Sequence, residues 1–178
     1  MKMFKCTLIA MLITVASCGQ QGLEVGAAFG LPTGDARFAV AANFVVEGAY
    51  WVNLADKVAL GPKVGYSSMS GDEVVFSDFL EDAPNQNYLT VAAAGLIEFA
   101  DRFWAGADIG YGFGANGFDQ NDQIFGIPIE NVNGFYYSPR LRYRFSDRLN
   151  IEAAYRSILI DDYDASSVTV GVNIQLVK

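Results

Sequence analysis

The sequence predicts an all-β fold: an eight-stranded antiparallel up-and-down β-barrel that crosses a membrane. Three observations predict it. A short turn-like pattern recurs at near-constant spacing. Alternating apolar and polar runs flank every copy. On those runs the apolar face carries large side chains, while the other face carries glycine, alanine and balanced charges.

The recurring pattern is Asn-Leu-Ala-Asp-Lys-Val-Ala-Leu at residues 53–60, Glu-Phe-Ala-Asp-Arg-Phe-Trp-Ala at 98–105 and Arg-Phe-Ser-Asp-Arg-Leu-Asn-Ile at 144–151. Its aspartate falls at 56, 101 and 147, in steps of 45 and 46 residues. A fixed internal period marks a repeated supersecondary unit. Aspartate suits a tight turn because its carboxylate can accept a backbone N–H two residues on. Three such turns imply three hairpins joined by longer loops, with one further strand at each end, giving eight strands.

Strand one, residues 23–31, puts Leu23, Val25, Ala27, Phe29 and Leu31 opposite Glu24, Gly26, Ala28 and Gly30. A Pro-Thr-Gly-Asp turn at 32–35 opens the first loop. Strand two, 38–52, puts Phe38, Val40, Ala42, Phe44, Val46 and Tyr50 opposite Asn43, Glu47 and Trp51. Strand three, 58–68, alternates Val58, Leu60, Val64 and Tyr66 with Ala59, Gly61, Lys63 and Gly65. An acidic second loop, 69–87, leads to strand four, 88–99, with Leu89, Val91, Ala93, Ile97 and Phe99 opposite Thr90, Ala92, Ala94 and Glu98. Strand five, 103–113, has the cleanest period of two. There Phe103, Ala105, Ala107, Ile109, Tyr111 and Phe113 alternate with Trp104, Gly106, Asp108, Gly110 and Gly112.

The third loop, 114–133, is rich in Gly, Asn and Asp around an apolar patch at 124–129. Strand six, 135–145, sets Phe135, Tyr137, Leu141, Tyr143 and Phe145 against Tyr136, Ser138, Arg140, Arg142 and Arg144. Strand seven, 149–160, sets Leu149, Ile151, Ala153, Tyr155 and Leu159 against Asn150, Glu152, Ala154 and Arg156. A last loop, 161–166, precedes strand eight, 167–177, where Val168, Val170, Val172, Ile174 and Leu176 alternate with Thr169, Gly171, Asn173 and Gln175. Pro62 and Pro139 fall inside strands on the apolar face, and each predicts a bulge or break, since proline donates nothing to the ladder.

Composition bounds the rest. The chain has 178 residues, the size of one domain. Residues 1–19 have a basic start and a short apolar core, the pattern of a secretory signal peptide. Val-Ala-Ser-Cys at 15–18 also resembles a lipobox, which marks Cys18 as a candidate lipidation site. Residues 20–178 form the barrel domain. The formal net charge is −8, and −10 once Lys2 and Lys5 are gone with the signal. That excludes a nucleic-acid binder, which needs clustered bases against phosphate. Histidine is absent and both cysteines lie in the first 18 residues. The barrel domain therefore has no Ser-His or Cys-His machinery, and no enzyme activity and no cofactor are expected.

Which face points inward decides between a soluble ligand-binding barrel and a membrane barrel. The polar face carries Glu24, Glu47, Glu98, Asp108 and Glu152 against Lys63, Arg140, Arg142, Arg144 and Arg156. It also carries the small residues that a narrow eight-stranded interior can hold. Aromatic residues of the apolar face gather toward the strand ends. Phe29, Phe38, Tyr66, Tyr88, Tyr111, Phe113, Phe135 and Tyr137 lie at the loop end. Tyr50, Phe99, Phe103, Tyr143 and Phe145 lie at the turn end. Two aromatic belts around an aliphatic band are what a bilayer requires. The apolar face is therefore expected outside.

These residues resemble the eight-stranded outer-membrane barrel family, which includes OmpA- and OmpX-type barrels and small porin-family outer-membrane proteins of Bacteroidota-like Gram-negative bacteria. The likeness is carried by Val-Gly-Ala-Ala-Phe-Gly-Leu-Pro-Thr-Gly-Asp at 25–35, the three Asp turns, Trp-Ala-Gly-Ala-Asp-Ile-Gly-Tyr-Gly at 104–112 and Tyr-Ser-Pro-Arg-Leu-Arg-Tyr at 137–143. The resemblance implies an outer-membrane location, three short periplasmic turns, four external loops and both termini in the periplasm.

Two readings of the inner charges stand open: a salt-bridged plug filling the lumen, or the lining of a narrow ion channel. Twelve of the 20 acidic residues fall in the expected loops, against one base, Arg37. Asp161, Asp162 and Asp164 form the best candidate for a Ca²⁺ site, since carboxylate oxygens suit that ion. No EF-hand spacing accompanies them. The expected role is structural, surface-interacting or adhesin-like. The expected partners are outer-membrane lipid and an extracellular partner at the acidic loops, with the barrel a monomer. A narrow porin is the first alternative. A secreted or lipid-anchored lipocalin-like binder of a hydrophobic ligand is the second.

Overall fold

The structure is a computed structural model. It describes residues 21–71, 73–76, 79–82, 85–114, 123–124, 127–128, 133–160 and 163–176. The expected signal peptide and Cys18 lie outside the described residues.

Eight long strands form the wall: β1 (Gln21–Thr33), β2 (Val40–Ala55), β3 (Val58–Gly71), β6 (Gln86–Ala100), β7 (Phe103–Gly114), β10 (Gly134–Arg144), β11 (Leu149–Ile160) and β12 (Tyr163–Gln175). Each pairs antiparallel with its sequence neighbour, and β1 pairs with β12 to close the barrel. Closure leaves no wall strand with an unpaired edge. A 13-residue strand, tilted as in membrane barrels, rises about 30 Å, enough for an apolar band of about 25 Å.

The orientation follows the alternation. Phe44, Ile109 and Val172 are exposed on the outer wall, whereas Arg140 and Glu152 are buried inside. Aromatic pairs mark both rims. Phe103 packs tilted against Tyr143, ring centres 4.9 Å apart, near the turns. Tyr111 meets Phe113 edge-on at 5.1 Å near the loops.

The turns occupy residues 56–57, 101–102 and 146–148. At two of them a side chain other than the aspartate bonds the turn backbone. Glu98 accepts the Arg102 N–H at 3.2 Å, and Ser146 Oγ accepts the Leu149 N–H at 3.1 Å. Arg102 adopts φ 65, the left-handed conformation that lets a two-residue turn reverse the chain.

Several expectations need correction. Val40 faces the lumen and is buried, because the β2–β3 register shifts between Val40 and Ala42. One extra residue flips every side chain beyond it to the other face. Phe38 belongs to a 3-10 helix, Gly34–Phe38, that lies across the barrel mouth with Ala36 fully buried. Gly34 opens it at φ 59, which favours glycine. Tyr88 belongs to the inner face, in phase with Gln86, and is 2% exposed. It is therefore not part of the outer belt.

The prolines cause no bulge, but each leaves the expected local break of two pairs in one ladder. Pairing with β2 runs in phase from Ala49↔Lys63 to Val52↔Leu60 past Pro62, and with β11 from Tyr137↔Ser157 to Arg140↔Ala154 past Pro139. On its other side each proline stays in register, with Ala93 and Ala107 respectively. Proline lacks one donor toward one neighbour only, and the other ladder holds the strand straight.

The expected second and third loops are not loops throughout. They contain two short hairpins, β4 (Glu73–Phe76) with β5 (Phe79–Asp82), and β8 (Gln123–Ile124) with β9 (Ile127–Pro128). Strand β12 starts at Tyr163, so Tyr163 to Ser166 of the expected last loop are wall.

Candidate functional site in the lumen

The lumen is filled in three layers. The layer at mid-height is ionic. Glu152 pairs with Arg140, Arg140 with Asp108, and Asp108 with Lys63 at 3.2 Å. Lys63 pairs with Glu47 at 2.7 Å, and Glu47 with Arg156 at 2.6 Å. Arg156 returns to Glu152 at 3.7 Å. Six side chains of alternating sign thus close a ring. Arg142 extends it, bridging Glu152 and Glu24, each at 2.8 Å.

The strands explain the arrangement. β1, β2, β3, β7, β10 and β11 each supply at least one charge from the inner face. β6 supplies Ala92 and Ala94 there, leaving room for the long side chains opposite. β12 supplies neutral acceptors and donors: Thr169 Oγ1 receives Arg156 Nε at 3.0 Å, and Asn173 Nδ2 donates to Glu152 at 3.3 Å. Glu24 also accepts from Trp51 Nε1 and Asn150 Nδ2, each at 3.1 Å. Four acids meet four bases, so the layer is neutral. Burying an unpaired ion costs several kcal/mol, which pairing offsets.

Glu98 and Arg144, expected in this network, are not in it. Both lie at the turn end. Glu98 holds its turn, and the exposed Arg144 guanidinium sits 4.9 Å over the Trp104 ring. Both stand beside their turns, at the end of the wall, so the same inner phase meets solvent there instead of the ring.

Toward the loops, a polar belt comes first. Asn43 donates to Ser167 at 2.8 Å and accepts from Ser67 at 2.7 Å. Above it lies an apolar cap of Ala36, Val40, Met69, Tyr88, Tyr136, Ile158, Ile160 and Ala165. Arg156 Nη1 reaches the Tyr136 hydroxyl at 3.4 Å, joining cap to ring. Toward the turns, a vestibule of about 520 Å³ opens beneath the ring. Alternation places Asn43, Trp51, Asn150, Thr169 and Asn173 on the inner face, but it does not show which charge each one holds. The cap escapes the pattern because Val40 joins it only through the register shift.

Of the three aspartates singled out for Ca²⁺, Asp161 and Asp162 lie outside the described residues. Asp164 offers its backbone N–H to Asp35 at 3.2 Å. Among the described residues no group of acidic side chains is placed to hold a metal ion.

A closed wall, greasy outside and ionic within, defines an integral membrane β-barrel with a packed core. The chain belongs to the outer membrane protein beta-barrel domain family, whose pattern matches residues 6–175, and its place is the cell outer membrane. The fold is similar to the crystal structure of Ail, the attachment invasion locus protein of Yersinia pestis. That likeness has 13% identity and a TM-score of 0.57, over 89% of this chain and 99% of that one. The N-terminal β-barrel domain of Pseudomonas aeruginosa OprF matches at 16% identity and TM-score 0.51, over 89% and 99%. A de novo designed transmembrane β-barrel matches at 14% and 0.51, over 87% and 95%. No curated protein sequence matches the chain.

Proposed function

We propose that this barrel is a monomeric, non-catalytic scaffold that anchors its loops at the cell surface for contact with an extracellular partner, and that it does not conduct. The observation that carries this reading is the double closure of the lumen. A neutral ring of ion pairs fills the middle, and an apolar cap sits between it and the outside. An eight-stranded interior has room for side chains and little else. A pore needs a wetted path, and the cap interrupts it.

The loops set the character of the contact. Their expected acids outnumber bases twelve to one, so the surface they present suits a basic or cation-bridged partner. Ail has been crystallised with the heparin analogue sucrose octasulfate. A polyanion of that kind is disfavoured here by like charge.

Planar-bilayer recording of the refolded barrel tests the scaffold reading. Absence of conductance steps is expected; reproducible steps from the wild-type chain would support the narrow-porin alternative. Binding of cells displaying the barrel to basic but not acidic surfaces tests the loops, and equal binding to both counts against them.

A further inference from the structure

The three turns share more than a sequence pattern. Each carries a large apolar side chain, Leu54, Phe99 or Phe145, two residues before its aspartate, Asp56, Asp101 or Asp147. A base follows the aspartate directly: Lys57, Arg102 or Arg148. The apolar anchors are exposed to the same degree, 56, 61 and 60%. All six charged residues are exposed as well. The backbone repeats too. The carbonyl of each base accepts an N–H from the end of the wall strand beside it. Lys57 accepts from Glu98 at 2.9 Å, Arg102 from Arg144 at 2.8 Å, and Arg148 from Gln175 at 2.9 Å.

Any residue can supply a backbone carbonyl, so these bonds fix where the base stands without calling for a base. Arg102 stands there in a conformation that does not suit it. Its φ of 65 is left-handed, a region that Gly, Asn or Asp adopts more readily. Chain reversal does not rest on aspartate alone either. Glu98 bonds the backbone of the second turn and Ser146 that of the third. The acid and base present in all three copies therefore answer to something besides the turn.

Their setting says what. In barrels of this family the short turns lie at the periplasmic end, where the wall meets phospholipid. Leu54, Phe99 and Phe145 stand at that lipid-facing rim, which puts the charged turn residues at the level of the headgroups. Each turn is neutral, one acid beside one base. Such a pair selects neither an anion nor a cation. It matches a headgroup that is both at once, with a phosphate accepting from the base and an ammonium donating to the aspartate. A primary ammonium has N–H groups to give, and a quaternary one has none.

We propose that the three turns are three copies of one site for a zwitterionic phospholipid with a primary ammonium, of the ethanolamine type. The base takes the phosphate, the aspartate takes the ammonium, and the apolar anchor lies against the acyl chains. The site depends on the barrel's place in the outer membrane and stands whatever the outer loops contact.

The test offers the folded barrel in detergent three lipids with identical acyl chains: phosphatidylethanolamine, phosphatidylcholine and phosphatidylglycerol. Native mass spectrometry counts the lipids retained. Retention of up to three ethanolamine lipids is expected, with an apparent affinity about threefold or more above either competitor, as exposed charge pairs allow. Asp56→Asn, Asp101→Asn and Asp147→Asn together leave three bare bases, and the preference is expected to pass to phosphatidylglycerol. Lys57→Gln, Arg102→Gln and Arg148→Gln together are expected to weaken retention of all three lipids by about threefold or more, since each carries a phosphate. Heat-modifiable migration reports that the variants are folded. Equal retention of the three lipids by the wild-type chain overturns the assignment, and that result needs no variant. So does an ethanolamine preference that survives the three aspartate changes in a folded barrel.

Discussion

Arg142 on β10 holds Glu24 on β1 through two parallel bonds, Nη1 to Oε2 at 3.0 Å and Nη2 to Oε1 at 2.8 Å. The two strands are separated along the wall by β11 and β12, so this contact crosses the lumen. It ties the first strand of the barrel to one that follows it by more than a hundred residues. The same guanidinium also serves Glu152, through Nε at 3.1 Å and Nη2 at 2.8 Å. Among the described residues Arg142 is the one ion-pair partner of Glu24, so removing it leaves that carboxylate unpaired, whereas Glu152 keeps Arg140 and Arg156. Arg142→Met is therefore expected to destabilise the folded barrel by about 3–5 kcal/mol. Glu24→Gln leaves Arg142 paired with Glu152 and is expected to cost less, about 1–3 kcal/mol. Urea unfolding in phospholipid vesicles, followed by tryptophan fluorescence, measures both. A larger cost for Glu24→Gln than for Arg142→Met would show that the guanidinium is not the shared anchor.

The outer wall yields a depth-dependent expectation. Val170 lies midway along β12, opposite Phe29 and Ala153, with its side chain turned to lipid. Leu54 is equally exposed but sits beside the first turn. Arginine in the middle of the hydrocarbon costs about 2–4 kcal/mol in membrane barrels and about 0–1 near the interface. Val170→Arg is expected to fall in the first range and Leu54→Arg in the second, by the same urea measurement. Equal costs would mean that residue 170 is not at bilayer depth.

The wall was legible in the sequence because its physics is local. A period of two sorts lipid-facing from lumen-facing side chains, and one alternating run such as residues 103–113 shows it without any partner strand. The same alternation placed Glu24, Lys63, Asp108 and Arg156 inside. It failed where a non-local event intervenes. The register shift at Val40 depends on how β2 meets β3, and nothing in residues 38–44 alone announces it. Proline at 62 and 139 signals a lost donor, yet the ladder on the opposite side keeps the strands in register, a compensation visible only once both neighbours are in place. Glu98 and Arg144 have the inner phase but lie beyond the last layer that can pair them. Phase is written in the sequence; height along the barrel axis is set by the shear of the closed sheet.

Glycine at two positions separates lumen packing from lipid packing. A Cβ at Gly110 would collide with the Val91 carbonyl oxygen, which is backbone and cannot swing aside. At Gly48, on the outer face, the nearest atom to a Cβ is the Glu24 carbonyl oxygen at 3.8 Å, ordinary contact. Gly110→Ala is expected to destabilise by about 1–3 kcal/mol through overpacking. Gly48→Ala is expected to be neutral or slightly stabilising, since alanine has less backbone freedom to lose. Folding yield and urea midpoint of the two variants decide it, and matching midpoints would show that β6 and β7 can separate to admit a methyl group.

The last expectation concerns what keeps the lumen shut. Water can enter the vestibule from the turn end, where the cavity is broad. Above it stand two barriers in series, first the ring of ion pairs and then the apolar cap, touching where Arg156 meets the Tyr136 hydroxyl. Thinning the cap alone with Tyr136→Ala and Ile158→Ala leaves Arg156 locked to Glu47 at 2.6 Å across the path. Thinning the ring alone, by changing Glu47 and Arg156 together to alanine, removes one acid and one base and leaves the layer neutral. The cap then still presents Tyr88, Met69 and Val40, which exclude water. Each pair of changes is therefore expected to stay non-conducting in planar bilayers, and the four changes together are expected to leak small ions. Conductance from either pair alone would mean that a single layer, not two acting in series, seals the barrel.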